Sequence, residues 1–388
     1  MENVLVSQRE HIRISKIQRL KILPPFLLRL CLLSVFPFQE GLMKEGQKEE
    51  SEIESFGNSG PVHLTSVDWR SLDHRRTVAA SLVQGVYFLE LDRQHGCHGS
   101  KPHGPIWWTF FNFHLIDILI DMVDSSIFGA VYEYNDYDQT QNFPRYVIAL
   151  RGTVMKLGTW SRDMKLNLQF VLNRVSWNSR YQVLSQIVEN MAASLGPGTI
   201  CLVGHSQGSA TALQVGRHMA KMGYYIDSYL FNPPFASLPI EKIKDENWKN
   251  GIRIVKSVVA AGLTIAMRNH VERPVEEHDT FERLSLWTPY LFVNPGDPIS
   301  SEYIGYFEHE EKMMTMGLAG IERLAVENSF VSLLSGALGI DAEATHHIPS
   351  AYVIKNLSPM EDFNNVHGIH QWWQPHQLWE FKIYKLKV

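Results

Sequence analysis

An α/β fold, with a mostly parallel sheet and helices on both faces, is predicted by three observations. Short apolar runs alternate with stretches of helical periodicity along the chain. No internal repeat interrupts that alternation. The pentapeptide Gly204-His205-Ser206-Gln207-Gly208 falls directly between one apolar run, Ile200-Cys201-Leu202-Val203, and one helical stretch.

Taken in order, the first helix is expected within Asp73 to Gln94, where Val78, Leu82, Val83, Val86 and Leu89 recur at helical spacing. Ile127 to Tyr134 reads as a strand, and Tyr146 to Leu150 as a second one after the turn around Asn142-Phe143-Pro144. A helix over Asn178 to Leu195 is closed by Gly196-Pro197-Gly198. The strand ending at Val203 and a helix from Ser209 to Met222 follow, then a strand from Tyr229 to Asn232, stopped by Pro233-Pro234. Tyr290 to Asn294 is the next strand, and Leu378 to Lys387 the last.

Between Phe235 and Pro289 the alternation is broken by a helical insertion, about 235–289. Its segment Gly251 to Arg268 gathers Arg253, Ser257, Thr264 and Arg268 close to one helical face. The wide apolar remainder suits a buried core helix, or a lid over a lipid pocket. Leu318 to Ile340 is a further helical region. The adjacent His346 and His347 after it point apart and make no metal pair.

The chain has 388 residues, 45% of them hydrophobic, enough for a large core. Thirty-six basic against 41 acidic residues give a net charge of −5, which leaves no electrostatic footprint for nucleic acid. Three cysteines, Cys31, Cys97 and Cys201, are too sparse for a disulfide framework. A reducing intracellular location, cytoplasmic, is therefore expected. Residues 1–59 differ in texture and read as a poorly ordered leader before a single domain over 60–388. Its apolar patch, Leu23 to Phe38, contains Pro24, Pro25, Arg29 and Pro37, which leaves it short of the ~20 apolar residues a spanning helix needs. An organelle address or a peripheral membrane contact is the alternative role.

A Gly-x-Ser-x-Gly pattern arises by chance on the order of 0.1 times in a chain this long at average glycine usage. Its placement between strand and helix is the stronger observation. On such an elbow the serine occupies a strained turn, and the glycines let strand and helix approach closely. Ser206 is then the candidate nucleophile. A hydroxyl attacks only when a base removes its proton, and the base is usually a histidine oriented by a carboxylate.

In doubly wound hydrolases the order along the chain is serine, acid, histidine. Asp297, in the turn after the Tyr290 to Asn294 strand, is the candidate acid. His367 is the preferred base, expected on a polar loop before the terminal strand, with His370 and His376 as alternatives. The tetrahedral intermediate needs two oxyanion donors. These are the backbone N–H of Gln207 and that of Thr153 in Arg151-Gly152-Thr153, with the Thr153 hydroxyl as a possible addition. The cluster His95, Cys97, His98 and His103 matches no standard zinc spacing, so neither metal nor cofactor is expected.

Taken together, Arg151-Gly152-Thr153, Gly204-His205-Ser206-Gln207-Gly208, Asp297-Pro298-Ile299 and His367 ahead of Ile369 and Trp372 resemble the class 3 (fungal-type) lipases. The similarity is to their plant lipase-like branch. It runs from Gly60 to the C-terminus, and takes in Pro61-Val62-His63-Leu64-Thr65 and Phe231-Asn232-Pro233-Pro234. The resemblance implies an α/β-hydrolase fold, with Ser206, Asp297 and His367 as the triad and Thr153 with Gln207 as oxyanion donors. Chains of this kind are sometimes labelled GDSL esterases, although no Gly-Asp-Ser-Leu stretch occurs here. The expected function is hydrolysis of an acyl lipid or other ester. The alternative is a non-catalytic signalling scaffold that uses the fold for protein partners.

Overall fold

The computed structural model describes residues 60–97, 104, 106–137, 143–154, 176–235, 282–315, 348–360 and 362–385. The leader, most of the insertion and the region Leu318 to Ile340 with His346 and His347 lie outside these residues. Among the described residues no helix is long and apolar enough to cross a membrane.

Eight strands form one sheet in sequence order: β1 (Phe113–Ile120), β2 (Ile127–Tyr134), β3 (Tyr146–Leu150), β4 (Ile200–His205), β5 (Asp227–Phe231), β6 (Tyr290–Val293), β7 (Ser350–Asn356) and β8 (Trp379–Lys385). β3 to β7 pair in parallel. The hairpins β1–β2, β2–β3 and β7–β8 are antiparallel and finish the two edges.

Helix α1 (Leu72–His95) begins at Ser71, whose side chain accepts from the His74 N–H. It ends at Gly96, where φ of 66° is the left-handed conformation that glycine adopts without strain. The Cys97 N–H closes the helix onto the Asp92 carbonyl at 2.9 Å. The short α2 (Trp107–Phe110) precedes β1. Helix α3 (Ser176–Leu195) crosses from β3 to β4, α4 (Gln207–Lys221) from β4 to β5, and α5 (Glu302–Thr315) follows β6.

Period-two side-chain alternation divides the core into two layers. Val147, Ala149, Cys201, Val203, Tyr229 and Phe231 pack with Val78, Leu82 and Val86 of α1. Ile148, Leu150, Leu202 and Leu230 pack with Leu184 and Val188 of α3 and Ala212, Val215 and Met219 of α4. The parallel strands carry apolar residues on both faces because both are covered.

Besides the one-turn helices, three longer elements were not read from the sequence, each for a physical reason. β1 has register shifts at Leu115/Asp117 and Leu119/Ile120, which break the alternation a strand is recognised by. β7 is covered on both faces and carries Lys355, whose charge is held between Glu308 at 3.4 Å and Glu380 at 2.8 Å. Helix α5 is rich in charge, and among its described side chains Tyr303 and Phe307 are the large ones that are fully buried.

Candidate active site

Parallel pairing brings the C-terminal ends of β3, β4, β5 and β6 to one rim of the sheet, where open α/β folds bind their ligands. Arg151-Gly152-Thr153 leaves β3, Ser206 leaves β4, Asn232 leaves β5, and Asp297 lies in the turn after β6.

Ser206 has φ 52° and ψ −123°, a conformation unusual for any residue with a Cβ. It is fixed from both sides: the Ser206 N–H donates to the Phe231 carbonyl at 2.9 Å, and α4 starts at the next residue. The two flanking glycines are required by space. A Cβ at Gly204 would lie 2.6 Å from the Gly208 backbone, and one at Gly208 would lie 2.5 Å from the Leu150 carbonyl oxygen.

His367 bridges the other two candidates. Its Nε2 lies 3.0 Å from Ser206 Oγ and its Nδ1 lies 2.9 Å from Asp297 Oδ2. The Asp297 carboxylate can only accept, so Nδ1 carries the proton and the Nε2 lone pair faces the serine. Asp297 is fully buried, and its Oδ2 also accepts from Asn232 Nδ2 at 2.8 Å and Ser300 Oγ at 2.6 Å. Its Oδ1 accepts from the Ile299 N–H at 3.0 Å. Burial alone would raise this carboxyl, but His367 beside it and these hydrogen bonds hold it below the ordinary carboxylate value.

Of the two alternative bases, His370 has its Nε2 3.3 Å from Asn365 Oδ1, and His376 is exposed. The local setting of His367 differs from the expected loop. It is the last residue of a one-turn helix, α6 (Phe363–His367), with the Val366 N–H on the Asp362 carbonyl at 3.0 Å. One turn is too short to leave a periodic signal. The Phe363 ring stacks on the imidazole, with centroids 5.1 Å apart.

Thr153 and Gln207 also meet, through side chains. The Thr153 hydroxyl donates to Gln207 Oε1 at 3.1 Å, and Arg180 Nη1 donates to the same oxygen at 3.3 Å. The hydroxyl proton is thus directed at Gln207, which leaves the backbone N–H groups of Thr153 and Gln207 as the candidate oxyanion donors. That of Gln207 lies in the first turn of α4, where no preceding helical carbonyl is available. That of Thr153 belongs to the trans peptide whose carbonyl, on Gly152, accepts from Arg151 Nη1 at 2.6 Å, so the buried guanidinium sets the plane. Arg180 is itself anchored by Asp121 at 2.6 Å.

Sequence reasoning missed Tyr87, Arg180 and Gln371, and it quoted Arg151 and Asn232 within motifs without giving either a role in building this site. Asn232 joins the Asp297 carboxylate to the Val366 carbonyl, at 2.8 and 3.1 Å, while Trp372 Nε1 donates to its own oxygen at 2.7 Å. Gln371 ties the β6 and β7 ends, accepting from Asn294 at 2.9 Å and Asn356 at 3.2 Å. The signal for Asn232 was its setting, a polar residue between a buried strand and two prolines.

Next to the serine, His205 is buried and pushed down to about 3, first by burial and then by the neighbouring His367. Its folded value lies below the ordinary 6.5, so the unfolded chain takes up a proton first as pH falls. Between pH 6.5 and about 3, this group is expected to lower stability by up to ~1.4 kcal/mol per pH unit. Urea unfolding of wild type and His205→Gln across that range should show a steeper fall in stability in the first than in the second.

Among the described residues, no group of three or more His, Cys, Asp and Glu is arranged to hold a metal. His98 and His103 of the discounted cluster lie outside those residues.

A serine on a strained strand-to-helix turn at the rim of a mostly parallel sheet, with helices on both faces, is the architecture of the α/β-hydrolases. No family model matches the chain. A protein of Arabidopsis thaliana named as a GDSL esterase/lipase is 44% identical over 352 residues, covering 87% of this chain and 99% of that one. The chain belongs to that esterase/lipase family, a family of carboxylic ester hydrolases.

Proposed function

We propose that the protein hydrolyses carboxylic esters, of an acyl lipid or another ester, through a Ser206-His367-Asp297 triad on the class 3 lipase plan. The observation that carries this reading is the His367 imidazole spanning Ser206 Oγ at 3.0 Å and Asp297 Oδ2 at 2.9 Å. As the serine oxygen attacks the acyl carbonyl, His367 Nε2 takes its proton and Asp297 stabilises the imidazolium. The Gln207 and Thr153 N–H groups receive the oxyanion. Collapse of the intermediate breaks the ester bond, His367 returns the proton to the leaving alcohol, and an acyl-serine remains. Water then attacks the acyl-serine, giving up a proton to His367, and the carboxylic acid leaves as Ser206 is restored. A cytoplasmic location belongs to the same proposal, resting on a cysteine set too sparse for a disulfide framework.

A fluorophosphonate probe tests the reading. Ser206 of the wild type should be labelled, Ser206→Ala should not, and a panel of p-nitrophenyl esters should be hydrolysed. Folded wild-type protein that resists the probe would overturn the triad and favour the non-catalytic scaffold.

A further inference from the structure

His205 and Tyr87 are linked by hydrogen bonds whose directions are all fixed by chemistry. The Gly152 N–H can only donate, and it meets Tyr87 Oη at 2.8 Å. The His367 carbonyl can only accept, and it meets His205 Nε2 at 2.7 Å. His205 therefore carries its proton on Nε2 and presents a lone pair at Nδ1, which lies 2.8 Å from Tyr87 Oη. Tyr87 must donate there. Burial pushes its hydroxyl up to about 12, so the proton to be donated is always present.

The ends of this chain matter more than its middle. Gly152 runs hard against the nucleophile: a Cβ on it would come within 2.8 Å of Ser206 Cβ and 2.7 Å of Tyr87 Oη. Its peptide plane carries the Thr153 N–H. The other end holds the backbone of His367, whose ring faces Ser206. Tyr87 comes from α1, which precedes the sheet and faces the core layer opposite α3 and α4.

Resting on the acyl-transfer reading above, we propose that Tyr87 and His205 are positioning residues for the reaction. They form a one-directional relay, Gly152 N–H to Tyr87 to His205 to the His367 carbonyl. The relay holds the oxyanion loop and the base in register across the nucleophile. His205 suits the variable position of the elbow because its ring offers one donor and one acceptor on different edges.

Tyr87→Phe keeps the ring and removes the relay proton. With active centres counted by fluorophosphonate titration, kcat per centre is expected to fall on the order of 10- to 100-fold, with KM within about twofold of wild type. His205→Gln, which retains a donor and an acceptor, should keep at least about tenfold more activity than His205→Leu, which retains neither. Tyr87→Phe combined with His205→Leu should be no slower than the slower single variant, because one relay can be broken only once. A labelled wild type with Tyr87→Phe at full kcat per centre, or losses that multiply in the double variant, would overturn the relay alone. Should Tyr87→Phe fail to fold, equal losses in the Gln and Leu variants would do the same. An unlabelled wild type would overturn the acyl-transfer reading, and the relay with it.

Discussion

Replacing His367 by alanine is expected to cut kcat on p-nitrophenyl esters by on the order of 10⁶-fold, the size of loss that removal of the base causes in other serine hydrolases. The imidazole is the link between Ser206 Oγ and the Asp297 carboxylate, at 3.0 and 2.9 Å, so without it the hydroxyl keeps its proton. The fold should survive. Asp297 retains Asn232, Ser300 and the Ile299 N–H, and the His367 backbone carbonyl still accepts from His205. Active-site titration with single-turnover kinetics checks this, and a loss below about 100-fold would reassign the base to His370 or His376.

Asp297→Asn should lower kcat by about 10⁴-fold while leaving the geometry intact. An amide presents an N–H where the carboxylate accepted, which drives the imidazole proton to Nε2 and turns the lone pair away from Ser206. A stability effect accompanies it. The folded carboxyl lies below its ordinary 3.8, so its contribution is present above about pH 4 and is lost as pH falls through the folded value. The stability gap between wild type and Asp297→Asn should therefore shrink as unfolding is followed below pH 4. Near-normal turnover would move the acid elsewhere, with Asp279, outside the described residues, the first to test.

Much of the fold was legible because its elements obey local rules. The parallel core strands are short apolar runs between turn residues, and the two helices flanking the elbow strand carry stripes that a buried face demands. β1, β7 and α5 were not legible because their signals are broken, by register shifts in β1, by Ser350, Lys355 and Asn356 within the run of β7, and by the charge along α5. The candidate serine and acid were readable from the elbow motif, the turn after a strand and chain order, while the base was narrowed to His367, His370 or His376. The residues that set the geometry of the triad were not readable, because Tyr87, Asn232, Arg180 and Gln371 act across large sequence separations. The contact of Tyr87 with His205 spans 118 residues and that of Asn232 with Asp297 spans 65.

The Gly204 to Gly208 elbow shows where the two kinds of information divide. The sequence by itself determined the residue types at the turn, the order Ser206, Asp297, His367, and the class of chemistry these imply, because motif and periodicity are local properties of the chain. Only the tertiary structure decided that His367 rather than His370 or His376 faces the serine, that the Thr153 hydroxyl is directed at the Gln207 side chain, and that Tyr87 and His205 join the Gly152 N–H to the His367 carbonyl. Those outcomes depend on hydrogen bonds between side chains far apart in sequence. Their distances are set by how the sheet and its two covering layers pack, which no local pattern records.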